Sequence, residues 1–433
     1  MQPVSSQSTS SQSTSSRPTH ARHVVLALTV AAYFITYMDR VVFSTAVPEM
    51  RKELGISLVQ MGAILAAFRY SYAIFQVPGG WLGDKIGPRR ALSLIVGWWS
   101  VLTSLTAAGW SAASMYAIRF IFGVGEAGAF PIATRSLSRW ILPAERGFAQ
   151  GITHAGSRLG GALAGPVVAY MVVHYGWRMP FWAFGIVGLL WSAVWFSYYR
   201  DTPEQHHGVN AAELEKIHSA SGGPGKPVGS AVPWGRILAS PVVWQISAMY
   251  VCYQYSLAWY TDWFPTFLKE SRGFSSHDMG TFTGLSWVAA AIGNLSGGWL
   301  TDLALRVTGD VRRSRRMVGI LGFVIAAVGI YSATVTRDPK TCVYLNWIAF
   351  AGLEVTVSVS WAIPLDIAGD YAGSAAAVMN CCGNLGGALS SQFVPVMVKA
   401  SGWNMPLLVA SGLSVLGALI YAKIDASKRV AFS

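Results

Sequence analysis

The 433-residue sequence is 53% hydrophobic and only 12% charged, with a mean hydropathy of +0.42 and a net charge of +12. A protein surrounded by water carries roughly 25% charged residues, so this composition excludes an ordinary soluble protein and makes lipid the natural solvent. The basic surplus does not require a nucleic acid, because Lys and Arg gather in the breaks and tails on one side of the expected membrane.

In chain order, residues 1–22 are expected to be a disordered cytoplasmic tail, a Ser, Thr and Gln-rich run with too little apolar content to fold. It lacks the apolar core of a signal peptide, and the first apolar run continues into a full crossing. A helix must satisfy its own backbone in lipid and needs about 20 apolar residues to cross. Such segments are expected at 23–47, 59–80, 90–108, 113–138, 147–172 and 179–199, then at 241–267, 278–300, 317–335, 341–367, 374–398 and 403–423. The first six make an N-terminal bundle over 23–200 and the second six a C-terminal bundle over 241–424. Between them, 201–240 is polar and rich in Gly and Pro, the composition of a cytoplasmic linker, and 425–433 is a second cytoplasmic tail. The expected fold is all-α and integral to the membrane, with twelve transmembrane helices in two six-helix bundles.

The two bundles are repeats. GGWLGD at 79–84 returns as GGWLTD at 297–302, and Met61 and Gly62 return as Met279 and Gly280 at the same offset. LGGAL at 159–163 returns at 385–389, and GWRMP at 176–180 returns as GWNMP at 402–406. Repeats that run in the same direction suit a carrier whose halves rock about a site at the membrane midplane.

Between the second and third crossings stands GGWLGDKIGPRR, with Gly80 and Asp84 followed by Arg89 and Arg90 in a very short turn. Glycines let helices approach closely, and Asp84 can hold a helix end or basic partner present in one conformation only. These four residues are the expected gate. The second copy, GGWLTD with Arg312, Arg313, Arg315 and Arg316 downstream, has lost the tight spacing.

Ionisable residues within the crossings gather in the first half: Asp39, Arg40, Arg69, Arg119, Glu126 and Arg158. A charge at the bilayer centre costs about 2.5–3.5 kcal/mol even on the insertion scale, so such residues tend to face a cavity and serve transport. Arg119 and Glu126 lie two helical turns apart on one face. Arginine suits a carboxylate ligand because its planar fork donates two parallel hydrogen bonds and stays charged, which makes Arg40 and Arg119 the expected anion clamps. Arg69, Tyr72 and Gln76 share a face of the second crossing, and His154 lies one turn before Arg158 on the fifth. The second half offers neutral groups, Tyr253 and Gln254 on the seventh crossing and Asn380 and Asn384 on the eleventh, which can read hydroxyls. No role is evident in the sequence for Asp262 or Glu354.

The loop GGWLGDKIGPRR resembles the signature of the major facilitator superfamily, although Pro88 stands where that signature often has a basic residue. RFIFGVGEAGAFPIATRSLSRW, TYMDRVVFSTAVPEM and AFRYSYAIFQVPGGW together resemble its anion:cation symporter family, which includes bacterial sugar-acid and aromatic-acid permeases and vesicular glutamate carriers. The resemblance runs from about Tyr33 to Pro203 and thins in the second half to WFPTFL and NCCGNLGG. It implies that Arg40 and Arg119 contact substrate, that Tyr72 and the polar group at Ser157 line the site, and that Asp39 and Glu126 couple protons. Arg69, His154 and Arg158 depart from the family pattern and suggest a second anionic group or a differently shaped ligand.

The expected activity is proton-coupled symport of an organic carboxylate, with hexuronates, aldonates and aldarates as leading substrates. The alternative is a proton-coupled exporter, since GALAGP at 161–166 resembles a run in drug antiporters, with Ala169 where its final glycine would stand. No HExxH, GxSxG, phosphate-cradling loop or Cys/His cluster suggests an enzyme, a metal or a cofactor other than the proton. The expected setting is a bacterial inner membrane, with both termini cytoplasmic and a monomer in contact with lipid.

Overall fold

The computed structural model describes residues 17–142, 145–221, 233–368 and 372–428, and among them there is no strand. The expected tail at 1–16, the linker segment 222–232 and residues 429–433 lie outside the described residues. Helix α1 (Ala21–Leu54) makes the first crossing, and α2 (Leu58–Thr106) carries both the second and the third. The fourth is divided just after Glu126 into α3 (Ala112–Glu126) and α4 (Ala129–Trp140). Helices α5 (Arg146–Tyr175) and α6 (Arg178–Tyr198) complete the first bundle, and the short helices α7 (Ala211–Ser221) and α8 (Trp234–Ala239) belong to the connection.

In the second bundle the seventh crossing is α9 (Pro241–Ala258), a π-helical turn (Trp259–Trp263) and α10 (Phe264–Glu270). Then follow α11 (Ser276–Thr308), α12 (Val311–Val335), α13 (Pro339–Ala368), α14 (Ala372–Ser401) and α15 (Asn404–Lys423). Eight stretches are long and apolar enough to cross a membrane unaided. The second limb of α2, α9 with α10, α11 and α14 complete the twelve.

The turn between the second and third crossings is made by one residue. Gly87 adopts φ 80° and ψ 153°, a region essentially closed to side chains, and bends α2 into two limbs. A Cβ there would lie 2.5 Å from the Asp201 carboxylate. Asp201 in turn accepts the Arg89 backbone N–H at 2.9 Å, so the residue that closes the first bundle caps the limb that Gly87 begins. Gly87→Ala is expected to cost about 1–3 kcal/mol from backbone strain alone. Thermal unfolding in detergent should show a lowered midpoint, and an unchanged midpoint would contradict the cap.

The halves meet chiefly along two helix pairs, α2 with α14 and α5 with α11. Glycines set the closeness: a Cβ on Gly62 would meet Pro395 at 2.6 Å, and one on Gly165 would meet the Gly280 carbonyl at 2.6 Å. At the face away from the linker, Glu49 pairs with Lys269 and Arg51 with Glu270, which ties the end of α1 to the end of α10. At the linker face the described ion pairs Arg22–Glu145, Arg315–Asp366 and Arg312–Asp425 each stay within one half. The structure is therefore closed on the side opposite the linker. The amino-terminal segment is fastened to the linker, where the buried Glu213 carboxylate accepts the Arg22 backbone N–H at 3.2 Å and Asn210 accepts that of Thr19 at 3.3 Å.

Candidate functional site

Helices α1, α2 and α3 bring Arg40, Tyr72 and Glu126 together. The Arg40 Nε donates to Glu126 Oε1 at 2.7 Å and Nη2 donates to the same oxygen, while Glu126 Oε2 is buried with no hydrogen-bond partner. Four rings surround the guanidinium, Tyr37, Phe68, Tyr72 and Phe130, at 5.1–5.8 Å from their centroids. Arg40 keeps 21% of its side chain exposed, whereas Glu126 keeps 1%, so the arginine is the member of the pair that an incoming anion can reach.

Arg119, the other expected clamp, is in a different setting. Its guanidinium lies 4.4–4.8 Å from the rings of Phe43, Phe68 and Phe122, its Nε has no hydrogen-bond partner, and the residue is only 4% exposed. A cation held by aromatic faces is stabilised without being neutralised. Arg119 is thus a buried positive charge held by rings, within electrostatic reach of Glu126, Asp262 and Asp39. Asp39 is also buried, faces Trp99 and Thr103 on the second limb of α2, and makes no hydrogen bond of good geometry.

The structure supplies partners for the charges that had no evident role. Arg69 Nε and Nη2 grip both oxygens of Asp262, at 3.0 and 2.9 Å, and also reach Ser391 at 3.1 Å and Thr261 at 2.6 Å. The π-helical turn in the seventh crossing presents Thr261 and Asp262 to Arg69 on adjacent positions. Sequence reasoning assigned Arg69 to the ligand; here its guanidinium is engaged by the opposite half and works as an inter-half tie. Arg158 forms a second tie: its Nη2 donates to Glu354 at 2.7 Å and its Nη1 to Ser157 at 3.0 Å. Tyr253 donates its hydroxyl to the other Glu354 oxygen at 2.9 Å, and Asn294 approaches at 3.4 Å.

Other expected site residues are dispersed around these centres. His154 packs edge-on to Tyr33 and lines a small cavity with Arg158 and Asn294. Gln76 is half-buried and Gln254 is buried, each with an unpartnered amide oxygen. Asn384 donates to the Asn380 carbonyl at 2.9 Å on α14. Of the expected gate, the Asp84 side chain lies outside the described residues. Arg89 stacks on Phe196 and donates to its carbonyl at 2.9 Å, and Arg90 is exposed. The close helix approach falls at Gly79, where a Cβ would lie 2.6 Å from the Gly128 Cα, while Gly80 has ordinary room against Pro131. Sequence reasoning missed Tyr37, whose ring neighbours both Arg40 and Arg158 at 5.1 and 5.5 Å; its place one turn before Arg40 was the available signal.

The family model described as Major Facilitator Superfamily matches residues 29–391. The chain belongs to the major facilitator superfamily. Among relatives of this superfamily chain, the probable sulfoacetate transporter SauU of Cupriavidus necator is 38% identical over 92% of each chain. The hexuronate transporter of Bacillus subtilis is 28% identical over 92% of each. The D-galactonate transporter of Escherichia coli is 28% identical over 92% of this chain and 94% of that protein. A crystal structure of a bacterial homolog of the human lysosomal transporter Spinster, inward-facing and unoccupied, superposes with a TM-score of 0.78 at 17% identity, covering 95% of this chain and 99% of that one. The superfamily fold accounts for the repeat and the two bundles, and it makes this chain a multi-pass membrane transporter rather than an enzyme.

Proposed function

We propose that this transporter imports a small organic acid together with protons, by alternating access between two bundles. The observation that carries the reading is the Arg40–Glu126 pair, a partly exposed arginine whose carboxylate partner among the described residues is fully buried. An anion that takes Arg40 leaves Glu126 without its counter-charge, and a buried lone carboxylate is stabilised by taking up a proton. Substrate arrival and proton uptake then become one event. With the linker face toward the cytoplasm, the ties at Glu49–Lys269 and Arg51–Glu270 close the outer side, as expected for a carrier that has just released its cargo inward.

Within organic acids, two substrate types are supported by relatives: sugar acids by the hexuronate and D-galactonate transporters, and a short sulfonated acid by the more similar probable sulfoacetate transporter. Arg158, with an unpartnered buried Nε, favours the short, doubly charged type. The test is uptake of labelled sulfoacetate, galactonate and glucuronate into vesicles carrying the purified protein, with and without an inward proton gradient. At least one of these acids is expected to accumulate only with the gradient. Equal entry under both conditions, or entry of none, would overturn the reading.

A further inference from the structure

We propose that Arg158 and Glu354 form a second anion-binding subsite, so that the cargo is a short acid with two negative heads, one on Arg40 and the other on Arg158. The inference rests on the organic-acid reading above and narrows it.

Three observations carry it. First, the two guanidiniums flank one ring: their central carbons lie 5.1 and 5.5 Å from the Tyr37 centroid, so the sum of those distances bounds their separation. A guanidinium and a carboxylate in fork contact keep about 4 Å between central carbons. Two such contacts leave only roughly 3 Å for the ligand's own spine, the span of a one- or two-bond link between acid groups. A hexose acid, with one charge and a long hydroxylated tail, offers nothing anionic to the second arginine.

Second, the two arginines are held in the same manner. Tyr116, Phe122 and Glu126 on α3 are matched, at one constant offset, by Tyr344, Phe350 and Glu354 on α13. Glu354 is thus the repeat counterpart of Glu126. Each glutamate is buried, and each occupies one arginine of the first half as an internal counter-ion. Third, Arg158 is not saturated: its Nε is buried with no hydrogen-bond partner, beside the cavity it shares with His154 and Asn294. A guanidinium with an idle buried donor beside a cavity is prepared for a second acceptor.

When a ligand head takes Arg158, Glu354 is left with Tyr253 and Asn294, and a proton on its carboxyl removes the repulsion between two anions on one guanidinium. Tyr253, now a donor to Glu354, can accept from the protonated acid. The ionisable and polar groups facing Glu354 are Arg158 from α5, Tyr250 and Tyr253 from α9 and Asn294 from α11, while His154 and Tyr37 stand next to Arg158. Because Arg158 and Glu354 sit on opposite halves, loading this subsite also loosens an inter-half tie.

The test is ligand-dependent thermal shift and competition on the full-length protein. The probes are a two-carbon sulfocarboxylate, malonate as a second two-headed acid, and their one-headed analogues. Wild type should prefer a two-headed probe. Arg158→Gln should weaken that probe by about tenfold or more, the worth of a charge-assisted contact, and change a one-headed analogue by less than about threefold. Because the single variant leaves Glu354 unpaired, Arg158→Gln with Glu354→Gln serves as a second variant with no orphan charge, and the same loss of preference is expected. Glu354→Gln alone should keep the two-headed preference and lose only the part of its pH dependence that Glu126 does not carry. Equal weakening of both probe types by Arg158→Gln would make the residue purely structural and overturn the proposal. A wild-type preference for one-headed acids would also overturn it while leaving the organic-acid reading intact. Failure of every organic acid to bind wild type would instead defeat that reading itself.

Discussion

Replacing Glu126 with glutamine is expected to abolish pH-driven accumulation of substrate while leaving exchange of labelled for unlabelled substrate intact. Glutamine fills the same space and can still accept from Arg40, but it cannot take up a proton when a ligand draws Arg40 away. Each coupled proton contributes about tenfold accumulation per pH unit, since one unit is worth about 1.36 kcal/mol. The variant should therefore fall to the equilibrium ratio under a one-unit gradient. Exchange needs only binding and the rocking motion, so it serves as the internal control for folding. Accumulation at the wild-type level would remove Glu126 from the coupling step.

The second large effect is expected at the Arg69–Asp262 tie. Removing one member of a buried ion pair leaves the other charge unpaired at a cost of about 3–5 kcal/mol. Arg69→Ala should lower the thermal midpoint markedly. Arg69→Ala with Asp262→Ala should recover much of the loss, because no charge is then stranded. Losses that simply add would show that the two residues do not interact in the protein. The recovered double variant has lost an inter-half bond beside the ties of α1 to α10. A cysteine introduced at the rim of that face should accordingly be labelled faster than in wild type.

How much of this was legible in the sequence depended on the range over which the information runs. The twelve crossings and the repeat were legible because apolar length and recurring glycine motifs are local patterns. Arg40 and Glu126 were legible as functional types, since charge in an apolar crossing is costly wherever it falls. Their mutual pairing was not, because it depends on how α1 packs against α3. The partners of Arg69 and Arg158 were not legible for the same reason. Their partners Asp262 and Glu354 lie in the other half of the chain, and only the docking of the two bundles brings them together. The π-helical turn that aims Asp262 carries no breaker residue in WYTDW itself, so nothing in the pattern announced it. Within the GGWLGD motif the tight contacts fall at Gly79, against the Gly128 backbone, and at Gly83, against Ile132, while Gly80 has ordinary room, a distinction set by how the helices pack.

In the proposed cycle Arg40 and Arg158 are held by Glu126 and Glu354 until a substrate anion displaces those carboxylates. The most direct measurement is external pH during substrate addition to lightly buffered vesicles containing the purified transporter. The account predicts that adding the transported acid makes the outside medium more alkaline as protons enter with it, and that Glu126→Gln abolishes the signal. Acidification of the medium, or substrate entry with no pH change, would contradict it.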